Sequence, residues 1–324
     1  MTSSPWKTIK GDARRSNRLP VRQGELLKPI VNLVRLARPS HWLKNGFVLA
    51  ALVFARKVTD ADAVLKTLEA FAAFCLASSA VYALNDVLDR REDAQHPSKR
   101  NRPVASGAVG AGLAVGLSVV LASAGVGLAL VVGRAFAATV GAYLVLMLAY
   151  VAGLRRVAIL DVLVIASGFV IRAYAGGVAI RAVDPNVEIS YWLLLCTLTL
   201  SLFLGFAKRE SERVALGEGA AAARPLAWGL YTERSLAHMM TVSAGLAIVT
   251  YMLYTVSERT IREVAHHQWM FVTVLPVIYA VFRFYHMAIT GRAADPVDLV
   301  RRDPAFVAAL IVWVAMVGGL LFAA

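Results

Sequence analysis

The run Asn85-Asp86-Val87-Leu88-Asp89-Arg90-Arg91-Glu92-Asp93 places four carboxylates and an amide at the end of an apolar segment, and Lys99, Arg100 and Arg102 follow at once. On a helix, Asp86, Asp89 and Asp93 stand at i, i+3 and i+7 and share one face, with Asn85 reaching Asp89 at i+4. Unpaired acids crowded in this way need a cation. Hard oxygen donors suit Mg²⁺, which takes one or two carboxylates from a protein and completes its shell with water and substrate phosphate. The pattern is that of a membrane enzyme holding magnesium on a diphosphate. A charged loop that merely ends a transmembrane helix accounts for the charges but not for their register.

The elements that must carry this run are apolar. Of 324 residues, 58% are hydrophobic and the mean hydropathy is +0.63, above the globular norm of about 45–50% apolar. Windows long enough to cross a hydrocarbon core, about 17–25 residues, lie near 41–57, 64–84, 111–133, 135–153, 157–180, 189–206, 236–256, 269–289 and 305–323. The expected fold is therefore all-α, a polytopic membrane bundle of nine transmembrane helices. The first window is irregular, because Arg35, Arg38, Pro39 and Lys44 precede or enter it, and it reads as an oblique entry from an interfacial helix. Of the 34 Lys and Arg residues, 26 fall on the N-terminal side of these spans, seven on the other, and Arg172 inside the fifth. This bias puts the N-terminus in the cytoplasm and, with nine spans, the C-terminus outside.

The same bias, with anionic headgroups as counter-charge, explains the net charge of +13 without nucleic acid, which is not expected as a partner. Residues 1–27, with Arg14, Arg15, Arg18 and Arg22, lack the apolar core of a signal peptide and read as a basic cytoplasmic tail on the lipid surface. Residues 28–324 read as one catalytic domain. Cys75 and Cys196 lie in apolar spans as small hydrophobes, with no disulfide framework. Seven glycines, at 110, 112, 116, 125, 127, 133 and 141, crowd spans three and four, where small residues favour close helix contact.

A second polar cluster, Lys208-Arg209-Glu210-Ser211-Glu212, stands where span six leaves the membrane on the side of the acidic run. Two such clusters are expected to converge over a central cavity. Asp161 and Arg172 are charges inside span five, each costing about 2.5–3.5 kcal/mol unless it meets a partner or a wet cavity. Eleven residues apart, they lie three turns from one another on one helix face. Lys44 and Asn45 read either as site residues or as an interfacial anchor. Tyr82, one turn before Asp86, and Tyr150, closing span four, are candidate substrate contacts. His238, His266, His267 and His286 show no zinc-ligand spacing.

Asn85, Asp86, Asp89 and Asp93 as Asn-Asp-x-x-Asp-x-x-x-Asp, together with nine spans and basic cytoplasmic loops, resemble the UbiA-type intramembrane prenyltransferase superfamily over nearly all of the chain after residue 30. That resemblance implies an all-helical bundle whose acidic motifs hold Mg²⁺ on a diphosphate. The second acidic motif departs from the usual pattern, offering only Asp161 with Ile165 one turn later. Further segments resemble the decaprenyl-phosphate phosphoribosyltransferase branch: Arg38-Pro39-Ser40-His41-Trp42-Leu43-Lys44-Asn45, Ala80 to Asp86, His96 to Pro103, Ile171 to Gly177, Lys208-Arg209-x-x-Glu212, and Asp295-Pro296-x-Asp298-x-x-x-x-Asp303.

The branch implies transfer of 5-phosphoribosyl from phosphoribosyl diphosphate to a polyprenyl (decaprenyl) phosphate, with release of diphosphate, for cell-wall arabinan precursors at the bacterial plasma membrane. Asn85, Asp86, Asp89 and Asp93 would be the metal ligands. Lys99, Arg102, Arg172, Lys208 and Arg209 would hold the phosphates, and Glu212 a ribose hydroxyl or Lys208. A homo-oligomer is compatible with this picture. The alternative is prenyl transfer from a prenyl diphosphate to an aromatic or other acceptor. A transporter would need inverted repeats or broken-helix pairs, which are not evident.

Overall fold

The computed structural model describes residues 23–96, 99–216, 231–292 and 303–322; residues 1–22 of the expected basic tail, Asp295 and Asp298 lie outside them, while residues 23–27 of that tail begin a helix. The described residues form helices and turns, with no strand among them. In order these are α1 (Gln23–Ala37), a 3₁₀ segment (Pro39–Gly46), α2 (Phe47–Phe54), α3 (Ala61–Leu88), α4 (Arg90–Gln95), α5 (Ala111–Val132), α6 (Arg134–Ala152), a 3₁₀ turn (Leu154–Arg156), α7 (Leu160–Arg181) and α8 (Tyr191–Leu216). There follow α9 (Glu233–Thr255), α10 (Glu258–Glu263), a 3₁₀ stretch (His267–Thr273) running into α11 (Val274–Ile289), and α12 (Pro304–Phe322).

Among the described residues, eight helical stretches are long and apolar enough to cross a membrane, and the protein is a multi-pass membrane protein. Helices α3 and α7 are the hub, with 61% of their apolar windows buried against 17–33% for the other six. They are rich in Ala, Gly and Ser, which let neighbouring backbones approach. The outer helices turn Val119, Val145, Leu275 and Val314 outward, as lipid solvation allows. Asp60 caps α3, its Oδ1 accepting from Ala63 N at 3.2 Å.

The first of the nine expected crossings is not a continuous helix. Pro39 supplies no N–H, and Arg38 sits in the left-handed region at φ 51°, so α1 stops and a 3₁₀ segment begins. The chain nevertheless runs antiparallel to α3 along most of its length. Arg38 meets Asp86, Trp42 Nε1 donates to Ser79 Oγ at 3.0 Å, Asn45 Nδ2 donates to Ser78 Oγ at 3.2 Å, and Ala51 and Leu52 pack with Ala63. Hydroxyls on α3 thus satisfy the side-chain N–H groups that Trp42 and Asn45 carry into the apolar region.

Helix α5, the glycine-rich third span, packs along α3 as its small residues suggested, but most of these glycines are not themselves the points of contact. Of those seven glycines only Gly125 presses on a neighbour, 3.1 Å from Ala73 O measured from an added Cβ, while the other six have open space. The tight contacts belong to α7: a Cβ on Gly176 would stand 2.0 Å from Val48 O and 2.8 Å from Ala51 Cβ.

Candidate active site

Helix α3 ends at Leu88, and Asp89, with ψ 0°, turns the chain into α4. Backbone bonds from Asp89 N to Asn85 O (2.9 Å) and Asp93 N to Asp89 O (2.8 Å) carry helical register across the break. Asp86 and Asp93 are 1% and 3% exposed, and buried carboxylates of this kind require counter-charge. Arginines supply it. Arg38 pairs with Asp86, and Arg102 Nη1 bridges Asp86 Oδ1 at 3.3 Å and Asp93 Oδ2 at 2.6 Å. The ring of Tyr82 flanks Arg38, its centroid 5.2 Å from Cζ.

Asp89 does not join that pair, because the ψ 0° turn directs it to a third arginine. Arg155, in the 3₁₀ turn between α6 and α7, donates from Nη1 to Asp89 Oδ2 at 2.9 Å and to Asn85 Oδ1 at 3.1 Å. Asn85 Nδ2 closes the ring to Asp89 Oδ2 at 2.8 Å. Burial opposes the Arg155 charge, but Asp89 outweighs it and holds the guanidinium above the ordinary arginine range. The expected single face of acids is therefore two paired stations, Asp86 with Asp93 and Asn85 with Asp89.

The second expected cluster lies on α8 rather than in a loop. Arg209 Nε donates to Asp161 Oδ2 at 3.0 Å and Nη1 to Glu212 Oε2 at 3.3 Å, and Lys208 Nζ stands 3.9 Å from Glu212 Oε1. Asp161, fully buried, also accepts from Tyr231 Oη at 2.6 Å, and that same oxygen accepts from Ile159 N at 2.6 Å. Burial and the Asp161 carboxylate keep the Tyr231 hydroxyl protonated, well above the usual tyrosine range. Tyr150 stands between the clusters, with Arg209 and Arg155 both acting on its hydroxyl.

The two clusters converge: His96 and Lys99, after α4, both feel the charge of Glu212 on α8. Burial and then Arg102 push the Lys99 ammonium below the ordinary lysine range, against the pull of Asp93, Glu212 and Asp89. If Lys99 binds an anion, that contact is present at low pH and fades as pH rises through a value below the ordinary range. The KM for an anionic substrate is expected to climb on the alkaline side, and Lys99→Arg to remove that limb. A pH profile of KM for both proteins measures it.

Arg172 is placed differently from the expected cavity lining. It is 5% exposed and does not meet Asp161. Its Nε donates to Asn45 Oδ1 at 2.7 Å, Nη1 to Gly168 O at 2.9 Å and Nη2 to Tyr143 Oη at 2.8 Å, and its Cζ lies 4.6 Å from the Tyr143 ring centroid. It ties α7 to α6 and, through Asn45, to the 3₁₀ segment that carries Arg38 and half-buried Lys44. Sequence reading missed Arg38, Arg155 and Tyr231. The signal for the first two was available, since Arg38-Pro39 opens the first crossing and Arg155-Arg156 makes a short basic loop on the charged side.

The donors suit magnesium in kind, being carboxylate and amide oxygens without sulfur or imidazole. Among the described residues no three ligating side chains of His, Cys, Asp or Glu form a ready group. Asp86 and Asp93 nevertheless face one point, where Arg102 Nη1 stands, and two carboxylates on a point are what Mg²⁺ takes from a protein when phosphate completes its shell.

Comparison with known proteins agrees with this architecture. The chain is 32% identical over 302 residues to a decaprenyl-phosphate phosphoribosyltransferase of Mycolicibacterium smegmatis, covering 90% of this chain and 93% of that one. It is 30% identical over 286 residues to the protein of that name from Corynebacterium glutamicum, covering 87% and 84%. In fold it is similar to a UbiA homolog from Archaeoglobus fulgidus bound to GPP and Mg²⁺, with a TM-score of 0.63 at 14% identity over 90% of this chain and 99% of that one. The model of the UbiA prenyltransferase family matches residues 46–306, and the chain belongs to that family.

Proposed function

We propose that the protein transfers 5-phosphoribosyl from phosphoribosyl diphosphate to a polyprenyl phosphate, releasing diphosphate, with Mg²⁺ as cofactor. One observation carries the site assignment: four oxygen donors at the end of α3 and α4 converge with Lys99, Arg102, Arg155, Lys208 and Arg209. The relatives' names point to the sugar donor and lipid acceptor. With the bias of 26 of 34 basic residues, the charged end faces the cytoplasm of a bacterial plasma membrane.

Breaking the C1–O bond of the donor builds charge on the departing diphosphate. Asp86 and Asp93, with Asn85 and Asp89 beside them, would hold Mg²⁺, which would supply neutralisation of that charge. Arg102 and Lys99 hold the diphosphate oxygens, the first by a forked contact and the second as a compact charge. Lys208 and Arg209, on α8, hold the 5-phosphate or the lipid phosphate, while Glu212, 3.9 and 3.3 Å from them, keeps both oriented. The sugar passes through an oxocarbenium-like state. The lipid phosphate oxygen is already anionic, so its attack on C1 needs alignment rather than a general base. Tyr82 and Tyr150 wall the site. Arg172 and Asp161 act from behind, through Asn45 and Arg209.

The test is incubation of purified protein with Mg²⁺, labelled phosphoribosyl diphosphate and decaprenyl phosphate, followed by organic extraction. Label in the lipid phase is expected. Folded protein that leaves phosphoribosyl diphosphate intact and consumes a prenyl diphosphate instead would move the reaction to prenyl transfer.

A further inference from the structure

Three arginines occupy the oxygen donors that the proposed reaction assigns to metal. Arg38 and Arg102 neutralise Asp86 and Asp93, and Arg155 spans Asn85 and Asp89. The first group holds two negative and two positive charges and is locally balanced. The side chains of Asp86 and Asp93 are only 2% and 5% exposed, whereas those of Arg38 and Arg102 are 16% and 25% exposed. The acids are therefore fixed in the protein, and the cations reach them from the open side.

We propose that Arg38 and Arg102 are exchangeable counter-ions: they mask the carboxylates in the free enzyme and turn onto the diphosphate as the metal takes Asp86 and Asp93. The idea rests on the metal-diphosphate reading above and adds an energetic coupling to it. A divalent cation entering alone would place two uncompensated charges among arginines. A diphosphate entering alone would draw the arginines off and strand two buried carboxylates, which is costly. Entering together, the metal compensates the two carboxylates and the diphosphate the two arginines, so that no buried charge is left without a counter-charge. Each therefore strengthens binding of the other, and linkage makes the factor reciprocal.

Arg38 is well placed for the exchange. It lies at the junction of α1 and the 3₁₀ segment, with the Tyr82 ring at 5.2 Å to hold a guanidinium once its carboxylate is taken. Arg102 follows α4, and one of its nitrogens already touches both acids, so a small rotation frees them together.

The test uses full-length protein in detergent, with Mn²⁺ as a paramagnetic probe for Mg²⁺ and inorganic pyrophosphate as the diphosphate. Bound Mn²⁺ is measured for wild type, Arg102→Gln and Arg38→Gln, with and without pyrophosphate. Wild type is expected to bind Mn²⁺ weakly alone, and about tenfold or more tightly with pyrophosphate, within the usual range of coupling. Either variant is expected to bind Mn²⁺ alone about tenfold more tightly than wild type, the acids being unmasked, and labelled pyrophosphate with Mn²⁺ more weakly. A merely structural arginine would weaken both. Variants that bind Mn²⁺ alone no better than wild type overturn the exchange while leaving the metal site standing. Absence of Mn²⁺ binding in all three proteins, with or without pyrophosphate, overturns the metal reading as well. Either variant suffices if the other misfolds.

Discussion

Asp89→Asn is expected to lower kcat by roughly 10²–10³-fold, the loss typical of one preorganised electrostatic contact removed from a transition state, while the protein stays folded. The carboxylate is the one negative charge in its station, and an amide there keeps a single neutral oxygen for Arg155 beside the Asn85 carbonyl at 3.1 Å. The two oxygen donors that Arg155 holds in place would then carry no charge to share with a cation. Folding should survive, since Asp89 lies at the turn after α3 and its side chain is 14% exposed. Glu92→Gln is the control: Glu92 is exposed on α4 and should leave the rate within about twofold, a surface change being near neutral. Initial rates on monodisperse protein at saturating Mg²⁺ decide the matter, and a wild-type rate in Asp89→Asn would remove it from the reaction.

The second large effect is structural and lies far from the charges. Gly176→Ala puts a methyl 2.0 Å from Val48 O, a distance at which the backbone of α2 must move away from α7. Overpacking of this kind costs about 1–3 kcal/mol and more where backbone has to shift. Helix α2 continues the 3₁₀ segment bearing Asn45, Lys44 and, at its start, Arg38, so the displacement travels to the acidic station. A fall of several degrees in detergent Tm is expected together with a higher donor KM. Gly141→Ala, whose added Cβ meets nothing within 4 Å, should change neither.

These two positions show what a sequence discloses and what it withholds. The acidic run was legible because its members are close in the chain and helical register alone places Asp86 beside Asp93. The apolar windows were legible because a bilayer imposes length and hydropathy on each crossing. Arg38 and Arg155 stand at marked places in the sequence, but their partners, like that of Tyr231, were not legible, since these lie 48, 66 and 70 residues away and local spacing does not pair them. The split of Asp89 from its neighbours depends on a backbone turn at one residue. Arg172 was read as a charge in need of an acid or water. Neutral acceptors on the 3₁₀ segment, α6 and α7 satisfy it instead, which only the packed bundle can arrange. The glycines followed the same rule: a Cβ added at six of the seven in the glycine-rich spans would meet nothing, while Gly176 is set by a helix more than a hundred residues earlier.

The broken first crossing has a consequence for how the chain is made. Residues 38–54 leave the ribosome before any of their polar partners exist: Ser78 for Asn45 comes 33 residues later, Asp86 for Arg38 comes 48 later, and Arg172 for Asn45 comes 127 later. With Arg38 and Lys44 at its entrance and too little helix of its own, this segment is a poor substrate for the translocon by itself. The segment is expected to reach its final depth only once α3 and α7 have been synthesised, so that the charged end of the bundle assembles when the middle of the polypeptide is in place.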